Sequence, residues 1–551
     1  MKSKIDVVWP EPKPLDHFML IDIFDEMDFS PVGSLDYNIV GSFSQATGDG
    51  VVYVANGTNN EIEELNKTLA QYKWVLLIII SDEENLFEID KLEHPNIKVW
   101  LQTPRANKEY ENVRYFGVGY GYAPRFRKQY TEQYLNKPVD VFISGQNTHS
   151  RRNLVFSDLH FYEEESPDQV VEIFETKGFT QGMEPAEYYK YMAATKIAPA
   201  PSGIVSPDSF RLYEALELGA IPIADDVSPR YDSKGYWRKL FPDAPFPILE
   251  DDDVCSLIDE AHEDYQNKAN HILAWWIAQK RRYAYELVED IRSLADLPDS
   301  DEVKDKITIV MPVSPWKSHP STEVLDASLA SARAQLPDAE IIVTFDGVRE
   351  EQKDKTEAYQ EFIKRALWKI NTEHKNVLPI LFDEHEHQSG MMKEALKHIK
   401  TEYVLYLEGD MSFYDDRLVP WAEFIDVLDS GKANILRIHF EATIPEPHEY
   451  LMLHDRDFTI GGNSYVGTFQ WSQRPHLMRT DLYKDIMDNY FSPEAKCFIE
   501  DKFYGSMITE HQNGNWDKWK MFIFLPESGL NMAYHLDGRD GETKYDDRQI
   551  W

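Results

Sequence analysis

The strongest constraint on the fold is a cycle that begins near the N-terminus and restarts twice, in which short, wholly apolar runs alternate with helical or loop stretches. The first cycle contains Asp6-Val7-Val8-Trp9, Gly50 to Ala55, Trp74 to Ile80 and Ile97 to Leu101. The second contains Val139 to Ile143, Val170 to Glu175, Ile197-Ala198-Pro199 and Ile221 to Ala224. The third opens at Ile307 to Met311 and continues through Ile341 to Phe345 and Tyr403 to Leu407. Runs that are apolar on both faces belong to parallel strands covered by helices on each side. The expected fold class is therefore α/β throughout.

The breaks between cycles set the expected domain borders. They predict Rossmann-like units at 1–137 and 138–295, a linker at 296–306 and a third unit at 307–551. The linker, Asp296 to Lys306, is acidic, poor in apolar residues and contains Pro298. Residues 254 to 295 read as helical, and Ser209 to Leu218 as a helix closed by Gly219, a residue suited to a C-cap. Leu325 to Leu336 and Met391 to His398 are the expected helices of the third unit.

Composition excludes several classes of function. Lys and Arg number 57 against 96 Asp and Glu, a formal charge of -39. That balance repels phosphate backbones, and no Lys/Arg cluster compensates for it, so a dedicated nucleic-acid binder is not expected. The 42% hydrophobic content supports packed cores rather than disorder. Cys255 and Cys497 are the only cysteines, which removes a disulfide framework and any cysteine-based zinc site. The longest aliphatic run, Val75 to Ile80, is far shorter than the roughly 20 residues of a membrane span. A cytoplasmic protein without a membrane span is the expectation.

Chemistry is most concentrated where Tyr403 to Leu407 runs into Glu408-Gly409-Asp410. A buried strand ending on two acids puts carboxylates at the carboxyl edge of the sheet, where open α/β folds bind ligands. Two hard oxygen ligands there suit Mg²⁺ or Mn²⁺ bridging to a diphosphate, although E-G-D is also ordinary turn chemistry.

Residues 306 to 540 resemble a GT-A glycosyltransferase domain in the order of their parts. Ile309 to Val313, including Pro312, resembles the opening strand, and Phe345-Asp346-Gly347 the second strand. Glu408-Gly409-Asp410 stands at the DxD position with Glu for the first Asp. Phe498-Ile499-Glu500-Asp501 resembles the downstream E-D motif, and Tyr534-His535-Leu536-Asp537 the late histidine. The resemblance implies that Pro312 and Asp346 contact the nucleoside and that Asp410, Glu408 and His535 hold Mn²⁺ or Mg²⁺. It also implies that Asp501, beside Glu500, is the general base. Asp501 or Glu500 could instead cap a helix starting at Lys502, and Asp346 could be a turn acid. Phe469, Trp471, Trp516 and Trp519 are either an acceptor shelf or core, and Arg474 and Arg479 are candidates for acceptor contacts.

The N-terminal half is similar to the nucleotide-binding part of exostosin-like GT-B glycosyltransferases, on Lys196 to Gly203 and Asp208 to Ile223. That likeness implies that Glu214 binds the ribose hydroxyls. It implies further that the helix start near Ser209 faces a diphosphate, assisted by Arg211, Lys196 and Arg151.

The expected function is thus a bifunctional glycosyltransferase using nucleotide-sugar donors, of UDP type, on a hydroxyl acceptor such as a glycan. It has a metal-dependent GT-A site and a metal-independent GT-B site. The alternative is one GT-A activity with a non-catalytic N-terminal module. A sugar-nucleotide pyrophosphorylase would need a glycine-rich loop after its first strand, and Met311 to Pro320 contains no glycine.

Overall fold

The computed structural model describes residues 4–10, 17–57, 61–105, 108–121, 123–178, 182–250 and 253–536. Two compact units emerge, one chiefly Ser34–Pro298 and the other chiefly Asp299–Ile370 with the chain from His374 onward.

The N-terminal unit holds two all-parallel sheets. In the first, β1 (Lys4–Val8), β2 (Asp36–Val40), β3 (Gly50–Asn56), β4 (Trp74–Ile80), β5 (Ile97–Gln102) and β6 (Val113–Phe116) lie in the order β2-β1-β3-β4-β5-β6. The aliphatic run of β4 sits between β3 and β5, and every one of its residues is buried. At roughly 1.5–3 kcal/mol per fully buried aliphatic side chain, this strand anchors the sheet. The second sheet has β7 (Val139–Gln146), β8 (Val171–Thr176), β9 (Thr195–Ala200), β10 (Ile221–Asp225) and β11 (Ile248–Leu249), ordered β11-β10-β9-β7-β8. Between β9 and β10 the helix Phe210–Glu217 ends at Gly219, whose φ of 65° is the left-handed geometry its C-cap requires.

Residues 254 to 295 form two helices rather than one, Val254–His262 and Tyr265–Ala295. The Asp253 carboxylate caps the first by accepting from Ser256 N–H at 2.9 Å, and Asp264, at φ 50°, breaks the register before the second. Helix also reaches into the expected linker, at Val303–Lys306.

The second unit is built on a mixed nine-stranded sheet. Its parallel part consists of β12 (Ile307–Val313), β13 (Glu340–Phe345), β14 (Val377–Leu381) and β15 (Tyr403–Tyr406). After β16 (Met411–Phe413) come β17 (Ile435–Ile438), β18 (Phe458–Ile460), β19 (Asn463–Gly467), β20 (His476–Arg479), β21 (Met521–Leu525) and β22 (Ala533–His535). The sheet order is β14-β13-β12-β15-β20-β17-β21-β19-β18, while β16 and β22 pair with each other. β20 is antiparallel to both β15 and β17, so β17 points the same way as β15 and their carboxyl ends share one edge. No helix among the described residues is long and apolar enough to cross a membrane.

Candidate active site

The acids at the end of β15 are placed by close backbone packing. Gly409 N–H donates to Pro312 O at 2.9 Å, drawing the turn against the end of β12. A Cβ on Gly409 would lie 2.7 Å from Val313 Cγ2 and 3.2 Å from Pro312 O, so this approach demands glycine. The antiparallel pairing of β16 with β22 sets Met411 opposite His535, and Leu536 N–H donates to Asp410 O at 2.6 Å. Side-chain ligand atoms of Glu408, Asp410 and His535 consequently lie within 4.8 Å of one another, with His535 Nε2 3.4 Å from Asp410 Oδ2. The motif ends at Asp537, which lies outside the described residues.

This donor set suits a divalent cation: two carboxylates from the turn between β15 and β16 and one imidazole from β22. Burial, reinforced by the neighbouring charges of Asp410 and Glu500, pushes the Glu408 carboxyl up to about 8. Tyr406 OH (3.0 Å) and Gln388 Nε2 (2.5 Å) donate to Glu408 Oε1, and neither donor brings charge. A cation would relieve this crowding of like charges.

Glu408 also lines a cleft of about 510 Å³ whose walls include Gln388, Arg437, His439, Gln473, Arg474, Phe498, Glu500 and Asp501. The E-D motif lies in the first turn of the helix Ile499–Gln512, which begins three residues before the position expected for a capping role. Glu500 Oε2 accepts from Gln473 N–H at 2.9 Å and is thereby fixed, while Asp501 is exposed in the cleft wall. Gln388 joins the two halves of the site. Its Nε2 donates to Glu408, and its Oε1 accepts from Gln473 Nε2 at 3.2 Å and from Ile499 N–H at 3.4 Å.

Asp346, at the end of β13, is only 1% exposed. Its Oδ1 accepts from Glu386 N–H (2.7 Å) and His387 N–H (3.2 Å), and His385 Nδ1 stands 2.7 Å from Oδ2. The carboxylate thus holds the left-handed turn at His387, φ 59°, that leads to Gln388. Pro312 contributes its carbonyl to the Gly409 turn.

The candidate aromatic shelf resolves as core. Trp471, Trp516 and Trp519 are buried, and Trp519 packs edge-on against Phe503 at 5.3 Å. Trp471 Nε1 donates to Gln473 Oε1 at 2.8 Å, and Phe469 stacks on His511. The aromatic presented to the cleft is Phe498, 42% exposed, with His387 edge-on at 4.2 Å. Arg474 lines the cleft, whereas Arg479 lies outside it and pairs with Asp481 at 3.4 Å. Sequence reading missed Gln388, Arg437 and His439, which belong to no motif: Arg437 and His439 meet the site through the position of β17 in the sheet, and Gln388 through the turn that Asp346 holds at the start of the helix His387–His398.

The N-terminal unit has its own cleft of about 450 Å³, walled by Glu83, Val118 and Gly121 from the side of the first sheet and by residues following β7 to β9 on the other. Glu214 is buried there, accepting from Tyr188 OH and Tyr189 OH, each at 2.8 Å, and burial raises its carboxyl above the usual range. Arg211 lines the cleft and donates to Ser144 O. Ser209 Oγ, just before the helix Phe210–Glu217, is buried with no hydrogen-bond partner. Lys196 and Arg151 are not brought to this cleft. Lys196 pairs with Asp140 at 2.7 Å and Arg151 with Asp225 at 2.8 Å. The second cleft cation is Arg152, which donates to Ser202 O and Gln146 O.

Residues 318–459 match glycosyl transferase family 2. The match spans Asp346 and Glu408-Gly409-Asp410 and stops before the E-D motif and His535. Among curated proteins none matches the sequence. Similar solved structures include residues 1–349 of S. aureus TarS, at 15% identity and TM-score 0.27, covering 42% of this chain and 60% of that one. GalNAc-T7 with UDP, GalNAc and Mn²⁺ matches at 12% identity and TM-score 0.28, covering 42% and 45%. The 4-diphosphocytidyl-2C-methyl-D-erythritol synthase of Anaerococcus prevotii matches at 13% identity and TM-score 0.25, covering 41% and 90%. The family 2 match thus marks residues 318–459, within the C-terminal unit, as glycosyltransferase-like in sequence.

Proposed function

We propose that the C-terminal unit moves a sugar from a nucleoside diphosphate donor, of UDP type, to an acceptor hydroxyl in a metal-dependent reaction. The observation that carries this reading is the convergence of Glu408, Asp410 and His535 within 4.8 Å, with Glu408 also lining a cleft that contains Asp501. These three residues would hold Mn²⁺ or Mg²⁺, and a cation bound there supplies positive charge to a departing diphosphate. Asp501 takes the proton of the acceptor hydroxyl as its oxygen bonds to the sugar carbon and the bond to the diphosphate breaks. Glu500, tied to Gln473, and Gln388, tied to Glu408, keep the base and the metal-binding acids in register. Asp346 shapes the turn on the nucleoside side.

The N-terminal unit is assigned a second, metal-independent donor site of GT-B type. Glu214 is aimed at ribose hydroxyls, and Ser209 and Arg211 at the diphosphate. The buried, unpartnered Ser209 Oγ at a helix start supports this reading, because such a donor is suited to an anionic ligand. One observation favours the alternative of a non-catalytic acceptor-holding module. Two of the three cations expected at the donor, Lys196 and Arg151, are consumed by Asp140 and Asp225.

The test is a hydrolysis screen of UDP-, GDP- and other nucleotide-sugars on the full chain, with Mn²⁺ and then with EDTA. Turnover of one donor that EDTA removes supports the C-terminal assignment. Undiminished turnover in EDTA eliminates it and leaves the N-terminal cleft as the active one.

A further inference from the structure

One residue of the C-terminal cleft has no part in the chemistry above, and its burial demands an explanation. Arg437 sits on β17, whose carboxyl end shares the edge that carries Glu408, and its side chain lines the cleft while only 2% exposed. Among the described residues its hydrogen bond is to Gln470 O, no carboxylate comes within ion-pair range, and Nε is left without a partner.

The nearest charged groups are engaged with one another, and the acids that face Arg437 across the cleft, Glu500 among them, make no ion pair with it. Arg474 is engaged by both oxygens of Glu441, and His439 contacts the same carboxylate. Burial holds the His439 imidazole down to about 4, so the triad is one cation and one anion at neutral pH. Burial, with Arg474 nearby, lowers the Arg437 guanidinium to about 9, and the more distant Glu500 and Glu441 only partly counter this. A buried cation without a counter-ion is costly, and the cost falls when an anion enters the cleft.

We propose that the Arg437 guanidinium receives an oxyanion of the acceptor, a phosphate or carboxylate carried beside the hydroxyl that is glycosylated. The inference rests on the transferase reading of this unit and deepens it by naming the acceptor class as anionic. A net charge of -39 disfavours an anionic acceptor over the surface as a whole, so a buried cation in the cleft is a favourable place for its recognition. The donor's diphosphate offers the same chemistry, but on the transferase reading it is met by the cation that the turn acids Glu408 and Asp410 would hold with His535, a set of residues that does not include Arg437.

The test uses the full chain, with inorganic phosphate as the probe, titrated calorimetrically in Mn²⁺ with and without saturating UDP. Phosphate should bind wild-type protein in both conditions. Arg437→Gln should weaken phosphate by about tenfold or more, the worth of a charge-assisted contact, and leave UDP affinity unchanged. Arg437→Lys, which keeps the charge if the Gln variant fails to fold, should retain part of the phosphate affinity and also leave UDP unaffected. Phosphate binding that is absent, or indifferent to both substitutions, overturns the proposal. Competition between UDP and phosphate, with UDP weakened in both variants, moves Arg437 to the donor and likewise overturns it. If UDP and every nucleotide-sugar fail to bind while phosphate still depends on Arg437, the transferase reading falls and takes the acceptor assignment with it, and the anion site stands.

Discussion

The two clefts present acids at the carboxyl edges of parallel strands but compensate them in opposite ways. In the N-terminal cleft the two buried carboxylates of the wall, Glu214 and Asp208, take their hydrogen bonds from neutral donors. Glu214 is held by two phenols, and Asp208 by Tyr213 OH (2.8 Å), Tyr236 OH (2.7 Å), Thr103 Oγ1 (3.1 Å) and Val118 N–H (3.1 Å). In the C-terminal unit Glu408 is pressed toward a second acid and an imidazole, with only an amide and a phenol to steady it. The first arrangement is complete in itself and offers carboxylates to ligand hydroxyls. The second accumulates negative charge and is balanced only by a cation. On the proposed reading, the first edge would bind a nucleotide without a metal and the second would require one.

The sharpest way to break this contrast is to disable one edge at a time. Asp410→Asn should remove Mn²⁺ binding, read as loss of the Mn²⁺-induced rise in Tm, and reduce Mn²⁺-dependent donor turnover by about 10²-fold or more. If the N-terminal cleft is catalytic, a metal-independent turnover survives in this variant and disappears in the Asp410→Asn, Glu214→Ala double variant. Complete loss in Asp410→Asn alone, with donor still bound at the N-terminal cleft, reduces that unit to a binding module. A smaller effect comes from the backbone. Gly409→Ala should cost about 1–3 kcal/mol in urea unfolding, because the new methyl meets Val313 and the Pro312 carbonyl. It should also loosen Mn²⁺ binding, since the turn that carries both acids must shift. An unchanged midpoint would show that the β12–β15 edge is more pliable than its packing implies.

What the sequence made legible follows from how local each signal is. The β4 run and the strand ending on Glu408 are contiguous and doubly apolar, and the structure places them as central parallel strands. The break at Asp264 was invisible because a left-handed aspartate leaves no mark on hydrophobic periodicity. Glu408, Asp410 and His535 could be singled out by motif, but their meeting depends on the β16–β22 pairing, which joins residues more than 120 positions apart. Gln388, Arg437 and His439 carried no motif at all. They reach the cleft because β17 lies next to β20 and the Asp346 turn aims Gln388 inward, both long-range outcomes of strand order. Lys196 and Arg151 show the converse. A cation in a recognisable motif reads as a ligand contact until the structure reveals the acid that already holds it, Asp140 or Asp225.

The subtlest consequence of the contrast is in the response of stability to pH. Burial raises the Glu214 carboxyl, against the lowering effect of its two phenol donors. Below its unfolded value of 4.5 the group is protonated in both states, and as pH rises from there the unfolded chain ionises first, so its contribution to stability declines. Glu441 behaves in the opposite sense. Burial opposes its ionisation, but His439 and Arg474 outweigh burial and bring the carboxyl down to about 2. Its contribution is present above pH 4.5 and is lost as pH falls toward 2, a change on the order of 1–3 kcal/mol. Denaturant midpoints measured from pH 3 to 8 should therefore separate the units: Glu441→Gln flattens the acid limb, and Glu214→Gln flattens the decline above about pH 4.5. Identical pH profiles for the two variants would mean that Glu214 and Glu441 are compensated alike, and the electrostatic contrast between the two units would lose this support.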